Sequence, residues 1–432
     1  MRFAIATLGC KVNQHESQQM REQLLHSGMQ EANNTETADV YIINSCTVTA
    51  TADQKTRQLV RRARRQHPDA VICLTGCVPQ VWTEQAEKLT EADVVLGNSN
   101  REKLVDCIML FLQTHQRVIC VEPHTEKSGL LGGVADFAER TRACIKIEDG
   151  CNRFCAYCII PYARGRVRSR ALADIRKEAE LVSKRCAEVV LVGINLSAYG
   201  QDIGLTLADA VREVASVEGV KRIRLGSLEP DLLTPELLDY LAAEPKFCPQ
   251  FHMSVQSGCD TVLERMGRKY TTEQYFALVK DIRKRFAAPS VTTDIMVGFP
   301  GETDEEFETT LRFVESVEFA RAHCFVYSRR PGTPAAQMSC QVASDVASCR
   351  SARLIAATEQ CASRFMEAQI GKRAKVLLER TEAKGRFEGY SENYTPICIE
   401  CGDAERESLY AGQIVEVLIT GMEEQGCIGK II

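Results

Sequence analysis

The sequence predicts an α/β protein in three parts: an N-terminal parallel α/β sheet domain, a central partial (β/α)6 barrel and a small, OB-like C-terminal β-barrel. Short apolar runs alternate with helix-like segments through the first two parts, which is typical of parallel sheets. The central part has six such strand–helix repeats, whereas a closed barrel of this kind has eight. The last part consists of short strand-like runs separated by glycine turns, which favours a small β-barrel.

The N-terminal domain is predicted to span residues 1–122. Its predicted strands are the apolar runs FAIATLG, DVYIINS, AVICLTG, DVVLG and RVICV. The clearest helix-like segments between them are ESQQMREQLLHSG and ATADQKTRQLVRRARRQHP. Residues 123–137, PHTEKSGLLGGVADF, are rich in glycine and lack a strand or helix period, so they are predicted to form a linker.

The central domain is predicted to span residues 138–370. Its six predicted strands are ACIKIEDG, AEVVLVGIN, KRIRLGSLEP, FHMSVQSG, VTTDIMVGFP and AHCFVYS. The amphipathic stretch SDVASCRSARLIAATEQCASRFMEAQI predicts a helix after them. Residues 371–432 change to the strand-like runs KRAKVLLE, RFEGYSENYTPICIE, QIVEVLITGM and CIGKII, which predict the C-terminal barrel.

The composition limits the compartment and the partners. The chain has 432 residues and a net charge of −5, so any contact with nucleic acid must come from a local basic patch. No apolar run reaches the roughly 18 residues of a membrane span, and the first residues resemble a strand rather than a secretory signal. These features predict a cytoplasmic protein. Its 20 cysteines then indicate metal or redox chemistry for some of them, because disulfides do not persist in a reducing compartment.

Three cysteines stand close together in the stretch DGCNRFCAYCIIPYARGR, namely Cys151, Cys155 and Cys158. A cubane iron–sulfur cluster normally takes four cysteine thiolates, so three leave one iron open to a substrate or cofactor. Zinc is the alternative, but it would need a fourth Cys or His nearby, and none is close in the sequence. The spacing therefore predicts an iron–sulfur site with an open iron.

Three other cysteines each end a predicted strand of the N-terminal domain: Cys10, Cys46 and Cys77. Ligands of parallel sheets gather at the carboxyl ends of the strands, so these thiols are candidates for a second site. Strand position alone is equally compatible with three unrelated thiols, and their linear spacing carries no further signal.

The longer string DGCNRFCAYCIIPYARGRVRSR resembles the methylthiotransferases of the radical S-adenosylmethionine (SAM) superfamily. The segments FHMSVQSGCDTVLERMGRKYT and TTDIMVGFPGETDEEF are similar to later barrel strands of that family. The order of a three-cysteine domain, a radical SAM barrel and a small terminal barrel, the TRAM domain, also agrees. The resemblance covers nearly the whole chain.

The opening TLGCKVNQHES resembles the branch that acts on N6-threonylcarbamoyladenosine in tRNA, and Lys11, Val12 and Asn13 carry that assignment. Two other branches are the alternatives. One modifies isopentenyl-adenosine in tRNA and reads closer to YGCQMN, and the other modifies a ribosomal protein aspartate and reads closer to LGCPKN. A non-catalytic alternative is an iron–sulfur redox sensor that binds nucleic acid.

The resemblance implies two [4Fe–4S] clusters and SAM as cofactors. Cys151, Cys155 and Cys158 would hold the radical SAM cluster, whose electron cleaves SAM to a 5′-deoxyadenosyl radical that attacks the adenine C2 hydrogen. The auxiliary cluster, which carries the sulfur to be transferred, would be held by Cys10, Cys46 and Cys77. The implied reaction adds a methylthio group to C2 of N6-threonylcarbamoyladenosine beside the tRNA anticodon. It needs an external electron donor such as a flavodoxin or ferredoxin, and a sulfur donor that the sequence does not identify.

Several polar and glycine residues end predicted barrel strands and are expected to face the mouth that holds the cluster loop. The candidates for SAM binding are Gly193, Asn195, Ser227, Glu229, Gln256 and Ser257. Ordinary turn chemistry at strand ends is the alternative for each of them. Asp294 is a further polar candidate on a strand.

Two basic runs are candidates for contact with RNA phosphates. The stronger candidate follows the cluster loop and comprises Arg164, Arg166, Arg168 and Arg170. The other lies on a predicted helix and comprises Arg57, Arg61, Arg62, Arg64 and Arg65, for which a solvated helix face is an equal alternative. The C-terminal barrel has 8 Lys and Arg against 11 Asp and Glu, so RNA binding there would depend on aromatic residues such as Phe387, Tyr390 and Tyr394.

Overall fold

The structure is a computed structural model and describes residues 1–33, 36–125, 133–134, 141–381, 386–400, 409–423 and 426–432. Within these residues, helices long and apolar enough to cross a bilayer are absent. Of the predicted linker, residues 126–132 and 135–137 lie outside the described part. Its described residue Val134 packs in the core of the central domain, and His124 Nε2 lies 2.9 Å from the Ala163 carbonyl oxygen.

The N-terminal domain is a six-stranded parallel sheet in the order β2-β1-β3-β4-β5-β6. The strands are β1 Arg2–Thr7, β2 Gln30–Glu31, β3 Val40–Ser45, β4 Val71–Gly76, β5 Val94–Leu96 and β6 Val118–Cys120. The helices are α1 Lys11–His26, α2 Ala50–Gln66, α3 Cys77–Val81, α4 Thr83–Glu87 and α5 Leu104–Thr114, with a 3-10 turn at Asn98–Lys103. All five predicted strands are present, and the two-residue edge strand β2 is an addition.

The helices of this domain cover both faces of the sheet. Met20 of α1 and Ile108 of α5 pack on one face, while Val60 of α2 and Ala86 of α4 pack on the other. Since both faces are covered, the central strands β4 and β5 are buried along their whole length, as parallel strands usually are.

The central domain contains nine strands and nine helices among its described residues. The strands are β7 Arg142–Lys146, β8 Glu148–Asp149, β9 Arg168–Ser169, β10 Glu188–Val192, β11 Arg222–Leu225, β12 Ser227–Leu228, β13 Gln250–Met253, β14 Ser290–Val297 and β15 Arg321–Val326. The helices are α6 Ile160–Arg164, α7 Leu172–Val182, α8 Leu207–Ala215, α9 Pro235–Ala243, α10 Asp260–Met266, α11 Thr272–Arg285, α12 Asp304–Val317, α13 Pro334–Gln337 and α14 Ser344–Glu367.

Seven of these strands form the predicted partial barrel, in which β11 and β12 together make one of six segments. The strands β11-β10-β7 form one parallel sheet and β12-β13-β14-β15 form another, and only Gly226 separates β11 from β12. The strand order β7-β10-β11/β12-β13-β14-β15 therefore describes an open barrel of six parallel segments. Helices α7 and α8 pack on its outside, and α14 covers β15. The predicted six-fold repeat is confirmed.

The C-terminal domain is a closed five-stranded barrel in the order β16-β17-β18-β20-β19. Its strands are β16 Arg373–Thr381, β17 Arg386–Ser391, β18 Pro396–Glu400, β19 Ile414–Glu423 and β20 Gly426–Ile431. The β18–β20 pair is parallel and the other pairs are antiparallel. Val376, Phe387, Ile399 and Val417 fill its core. The prediction of a small terminal barrel is confirmed.

This small barrel docks against the amino ends of the central strands. Arg224 of β11 donates hydrogen bonds to the carbonyl oxygens of Ser391 and Glu392, each at 2.7 Å. Arg142 of β7 donates to the hydroxyl of Tyr394 at 2.7 Å. The opposite opening of the barrel, at the carboxyl ends of the strands, is thereby left to the N-terminal domain and the cluster loop.

Candidate active site

The central cysteine triplet lies on the loop between β8 and α6. The Cys151 amide donates to the Gly165 carbonyl (3.0 Å) and the Cys158 amide donates to the Cys155 carbonyl (2.9 Å). These bonds fold the loop back on itself, so three thiols separated by only a few residues share one region. Cys155 is buried, whereas Cys151 and Cys158 are partly exposed.

Polar side chains from a strand end and from the turn between α10 and α11 donate towards this loop. Arg268 Nη1 lies 3.3 Å from Cys155 Sγ, and Asn195 Nδ2 lies 3.8 Å from Cys151 Sγ. The carboxylate of Glu229 holds the Arg268 guanidinium through contacts of 3.3 and 2.7 Å. Hydrogen bonds to cysteine sulfur stabilise anionic ligands and adjust the potential of a bound cluster. Sequence reasoning missed Arg268, because an arginine within a turn between two helices carries no distinctive signal.

Four of the six predicted SAM residues lie at the open end of the barrel near this loop. Asn195 is buried, and its Oδ1 has no hydrogen-bond partner among the described residues. The backbone amide of Asn195 donates to Glu148 Oε2 (2.8 Å). A Cβ on Gly193 would stand 2.5 Å from the same oxygen, so the glycine leaves room for this carboxylate. Ser227 is exposed, and Glu229 is half-buried against Arg268.

The two remaining SAM candidates differ from each other. Gln256 has φ +69° and a half-exposed side chain, and its amide bonds the Asp294 carbonyl. Ser257 is fully buried, and its hydroxyl accepts from the Cys259 amide (3.2 Å) and lies 3.3 Å from Thr310 Oγ1. The side chain of Ser257 is therefore enclosed between the segment before α10 and α12, and its contact with SAM stays a prediction.

Asp294 lies between two polar residues of β13 and its extension. Its Oδ2 accepts from the Ser254 hydroxyl (2.8 Å) and lies 3.2 Å from His252 Nε2. Burial opposes ionisation, but the hydrogen bonds from His252 and Ser254 hold the pKa of Asp294 below its usual range. A charged carboxylate is thus held in the partly exposed interior of the barrel. His252 was not among the predicted residues, since a histidine within an apolar run is as often structural.

The N-terminal triplet is assembled from three adjacent strands, because Cys10, Cys46 and Cys77 follow β1, β3 and β4. Two glycines allow the close approach. Gly9 has φ +103°, and a Cβ there would stand 2.8 Å from the Cys46 Cβ; Gly76 has φ +97°, and a Cβ there would stand 2.5 Å from the Ser45 backbone. Side chains are strained at such φ angles and would also collide. The structure therefore brings the three thiols to one end of the sheet.

One thiol of each triplet illustrates how burial opposes ionisation at these sites. Burial, reinforced by the neighbouring Cys77, raises the pKa of Cys46 to about 12. Burial and the neighbouring Cys155 likewise raise the pKa of Cys158 to about 12. Three thiolates in one place repel each other, and a metal group that takes thiolate ligands removes that repulsion.

Each donor set consists of three cysteine thiols, the ligand type that a cubane iron–sulfur cluster takes. Among the described residues, no three His, Cys, Asp or Glu side chains lie close enough together to bind one metal ion. In a cubane each thiolate binds a different iron, so the ligands stand farther apart than around one zinc. All six thiols are free cysteines.

A buried charge network joins the two cysteine sites. Glu16 of α1 contacts Arg164 of α6 and lies 2.7 Å from both Arg101 and Lys146, and Lys146 also lies 2.6 Å from Asp149. All five residues are buried. Burial opposes the charge of Arg164, but Cys77, Glu16 and Asp149 together hold its pKa well above the ordinary value. The network therefore fixes the N-terminal domain against the segment that follows the central triplet.

The same burial corrects the RNA prediction for three of the four arginines after the cluster loop. Arg164, Arg168 and Arg170 are all buried, and their guanidinium groups face Glu16, Asp149 and Glu178 respectively. They present no surface to RNA phosphates. Arg166 alone of the four is exposed, with its guanidinium 4.5 Å from the centre of the Phe154 ring.

The three aromatic residues predicted for RNA contact in the C-terminal barrel are already engaged in contacts within the protein. Phe387 belongs to the barrel core. Tyr390 and Tyr394 stack on each other at 4.5 Å, and Arg142 lies over both rings at the domain contact. On α2, in contrast, Arg61, Arg62 and Arg65 are exposed, while Arg64 pairs with Asp93 at 2.5 Å.

Comparison with known proteins identifies both main domains. Residues 145–314 match the model of the radical SAM superfamily, and residues 2–97 match that of the uncharacterized protein family UPF0004. Among solved structures, the radical S-adenosylmethionine methyltransferase TsrM from Kitasatospora setae has a TM-score of 0.60 at 15% identity, covering 77% of this chain and 76% of that one. This last likeness is one of fold. The fold and the cysteine loop together define a radical SAM enzyme.

Relatives of similar length show which group of radical SAM enzymes the chain resembles. The chain is 40% identical to the threonylcarbamoyladenosine tRNA methylthiotransferase MtaB of Bacillus subtilis, over 91% of this chain and 89% of the relative. It is 39% identical to the protein of the same name from Thermotoga maritima, over 98% and 95%. It is also 35% identical to the tRNA-2-methylthio-N(6)-dimethylallyladenosine synthase of Pelotomaculum thermopropionicum, over 97% and 95%. The chain belongs to the radical SAM tRNA methylthiotransferase family.

Proposed function

We propose that this enzyme transfers a methylthio group to C2 of N6-threonylcarbamoyladenosine next to the anticodon of tRNA. The observation that carries the proposal is the pairing of two three-cysteine sites across one domain contact, in a chain 40% identical to a relative named for that activity. A bridge of two hydrogen bonds supports the pairing. Asn98 Nδ2 lies 3.6 Å from Cys77 Sγ and 3.1 Å from the Ala163 carbonyl, in the helix that follows the central loop.

Cys151, Cys155 and Cys158 would hold a [4Fe–4S] cluster together with SAM. When bound, this group supplies the 5′-deoxyadenosyl radical needed to attack an unactivated C–H bond. The protein's own part is to orient and to shield. Arg268 and Asn195 donate towards the sulfurs of the loop, and Glu229 keeps Arg268 in place. The free Oδ1 of Asn195 and the exposed hydroxyl of Ser227 are acceptors and donors available to SAM.

Cys10, Cys46 and Cys77 would hold a second [4Fe–4S] cluster, and that group would supply the sulfur to be transferred. The role of this chain's residues is to fix that site opposite the first one. Val12, in the first turn of α1, packs in the core of the barrel domain, so the helix that begins after Cys10 is anchored to the other domain. The substrate base must then lie between the two sites.

Lys11 supports the threonylcarbamoyl substrate over the dimethylallyl one. Of the three residues that distinguish the branch, Val12 and Asn13 are buried in structural contacts, whereas Lys11 is exposed beside Cys10. A threonylcarbamoyl group carries a carboxylate at neutral pH, and a dimethylallyl group carries no charge. An ammonium group at this position can form an ion pair only with the former.

The other partners follow from the reaction. We place the enzyme in the cytoplasm with its tRNA substrate, supplied with electrons by a flavodoxin or ferredoxin and with sulfur by a donor still to be identified. The exposed arginines of α2 and Arg166 are the RNA-contact candidates that the structure leaves accessible.

The test uses anaerobically reconstituted protein and three anticodon stem–loops, carrying N6-threonylcarbamoyladenosine, isopentenyl-adenosine or adenosine. Mass spectrometry measures 5′-deoxyadenosine and the methylthio nucleoside. We expect the methylthio product from the first substrate, and a loss of about tenfold in kcat/KM for it in Lys11→Gln. Product only from the second would assign the dimethylallyl branch. Product on neither, with modification of a ribosomal protein aspartate, would assign the third branch, and no SAM cleavage under reduction would indicate a redox sensor.

A further inference from the structure

We infer that Arg164, although it belongs to the central domain, is a positioning residue of the N-terminal cysteine site, and that its charge raises the reduction potential of the cluster held there. The inference rests on the proposed function in one respect, namely that Cys10, Cys46 and Cys77 hold a cluster. It concerns a residue whose sequence position, six residues after Cys158, associates it with the other site.

The side chain of Arg164 leaves its own loop and enters the N-terminal domain. Its Nη2 lies 2.6 Å from Asn13 Oδ1 and 3.0 Å from Glu16 Oε2, both on α1. The same Asn13 Oδ1 lies 3.8 Å from Cys10 Sγ. Arg164 is therefore separated from a predicted cluster ligand by a single atom.

Asn13 in turn ties together two of the three strand ends. Its Nδ2 donates to the Leu8 carbonyl (2.7 Å) and to the Ser45 carbonyl (2.9 Å), which precede Cys10 and Cys46. The third cysteine, Cys77, is reached through Asn98, which also bonds the residue immediately before Arg164. Residues 163 and 164 thus contact the supports of all three thiols.

The charges around Arg164 favour an anion at this place. Four described cations share the two carboxylates of Glu16 and Asp149, namely Arg101, Lys146, Arg164 and Arg168. Arg164 Nε is buried and has no hydrogen-bond partner among the described residues. A buried cation is costly unless it is balanced by an opposite charge. A cubane held by three thiolates is a net anion in both its oxidised and its reduced state.

The consequence for the cluster is a matter of sign. Reduction adds a negative charge, and a fixed positive charge within a few ångströms stabilises that state more than the oxidised one. Net charge and hydrogen bonding at the sulfurs are the usual determinants of a cluster's potential. Loss of the Arg164 charge must lower the potential, and loss of the Glu16 charge must raise it. If Arg164 and Glu16 had a purely structural role, their variants would not shift the reduction potential in opposite directions.

The experiment isolates the auxiliary cluster in the full-length chain by replacing Cys151, Cys155 and Cys158 with Ala. Arg164→Gln, Arg164→Lys and Glu16→Gln are compared in this background. Arg166→Gln is the matched control, because it removes an exposed charge from the same segment. Iron and sulfide are counted, and the potential is obtained from a redox titration followed by electron paramagnetic resonance.

We expect Arg164→Gln to shift the reduction equilibrium about tenfold towards the oxidised form, which is about 59 mV for one electron. Arg164→Lys should recover most of that shift, Glu16→Gln should shift the equilibrium the opposite way, and Arg166→Gln should leave it unchanged. If Arg164→Gln, Glu16→Gln and the parent background all bind the full amount of iron and have equal potentials, the inference about Arg164 is wrong. The proposed function would still stand in that case. A parent background that binds no iron would overturn the auxiliary cluster itself, and the proposed function with it.

Discussion

The two cysteine triplets of this enzyme differ in how the fold brings their thiols together. Cys151, Cys155 and Cys158 lie on one short loop held by its own backbone hydrogen bonds. Cys10, Cys46 and Cys77 come from three separate strands and meet only when β1, β3 and β4 are paired. The first site is encoded locally and the second by the fold of a whole domain. The two should therefore differ both in function and in their sensitivity to changes elsewhere.

The largest expected effects come from removing one thiol of each set. In Cys155→Ala we expect no 5′-deoxyadenosine and no methylthio product, because the site that binds SAM loses a ligand. In Cys10→Ala we expect the loss of about one cluster and of the methylthio product, with SAM cleavage retained. Iron counting and mass spectrometry of the two products measure this.

Wild-type protein and Cys73→Ala serve as controls, since Cys73 is a buried thiol of the sheet core. If Cys10→Ala kept its full iron and still made product, the division of labour between the triplets would be wrong. If it lost SAM cleavage as well, the two sites would not be separable.

The next largest effect tests the dependence of the N-terminal site on the fold. Gly76→Ala places a Cβ 2.5 Å from the Ser45 backbone at φ +97°, so the strand ends beside Cys46 and Cys77 must move apart. We expect a loss of about 1–3 kcal/mol in the free energy of unfolding and of most auxiliary iron, with SAM cleavage retained. Denaturant unfolding and iron analysis measure the two.

Gly28→Ala is the matched control for this change. Gly28 has a similar φ of +86°, but a Cβ there would meet nothing within 4 Å. It therefore carries the backbone strain without the collision, and the auxiliary iron should stay bound. Equal iron loss in both variants would show that domain stability alone, rather than the approach at Gly76, controls the site.

Much of this fold could be predicted from the sequence, because its signals are local. Apolar runs of strand length alternate with amphipathic helices, and the six barrel strands and the terminal barrel follow from them. The central triplet was equally local, since its spacing is visible in the chain. The strand-end position of Cys10, Cys46 and Cys77 was visible too, but their proximity depends on the order of strands in the sheet.

The arginines after the central loop show what a linear sequence does not contain. Arg164 and Arg170 read as a basic surface run, but Glu16 and Glu178 draw them into the interior. Those carboxylates lie on α1 and α7, and the sequence around them does not predict that each has a buried arginine partner. The burial of Ser257 has a related reason, because a strand end predicts a turn but does not predict which side chain of that turn is exposed.

The next prediction concerns the stability that the charge network between the two sites provides. Glu16→Gln leaves three buried cations with one fewer carboxylate, and we expect a loss of about 3–5 kcal/mol in the unfolding free energy of the cluster-free protein. Glu308→Gln breaks the exposed pair with Arg353 and should cost far less, because solvent screens an exposed ion pair.

The contribution of Glu16 to the free energy of unfolding should depend on pH. Burial raises the pKa of Glu16, but Arg101, Arg164 and Lys146 outweigh it and hold the pKa well below the usual value. Its contribution is therefore complete above the ordinary pKa of a glutamate and is lost as the pH falls towards the folded value. Denaturant melts from neutral to acid pH should show the wild type and Glu16→Gln converging. A constant difference at all pH values would assign the effect to packing.

The smallest effect sharpens the comparison on the side of the RNA. Helix α2 starts shortly after Cys46 and bears the three exposed arginines Arg61, Arg62 and Arg65. Near the central triplet only Arg166 of the predicted run is exposed. We expect the α2 triple Arg→Gln variant to weaken tRNA binding. The slope of log K against log salt should fall by about one for each phosphate that the variant no longer neutralises.

Arg166→Gln alone should change that slope by at most about one. A control triple of Arg→Gln at Arg176, Arg212 and Arg353 makes the same change in net charge on other exposed helices, and it should leave the slope unchanged. Because phosphate contacts do not involve the reacting base, the α2 variant should raise KM while kcat at saturating tRNA stays the same. An unchanged slope in the α2 variant, with a lowered slope in Arg166→Gln, would reverse the assignment and place the RNA contact with the central triplet instead.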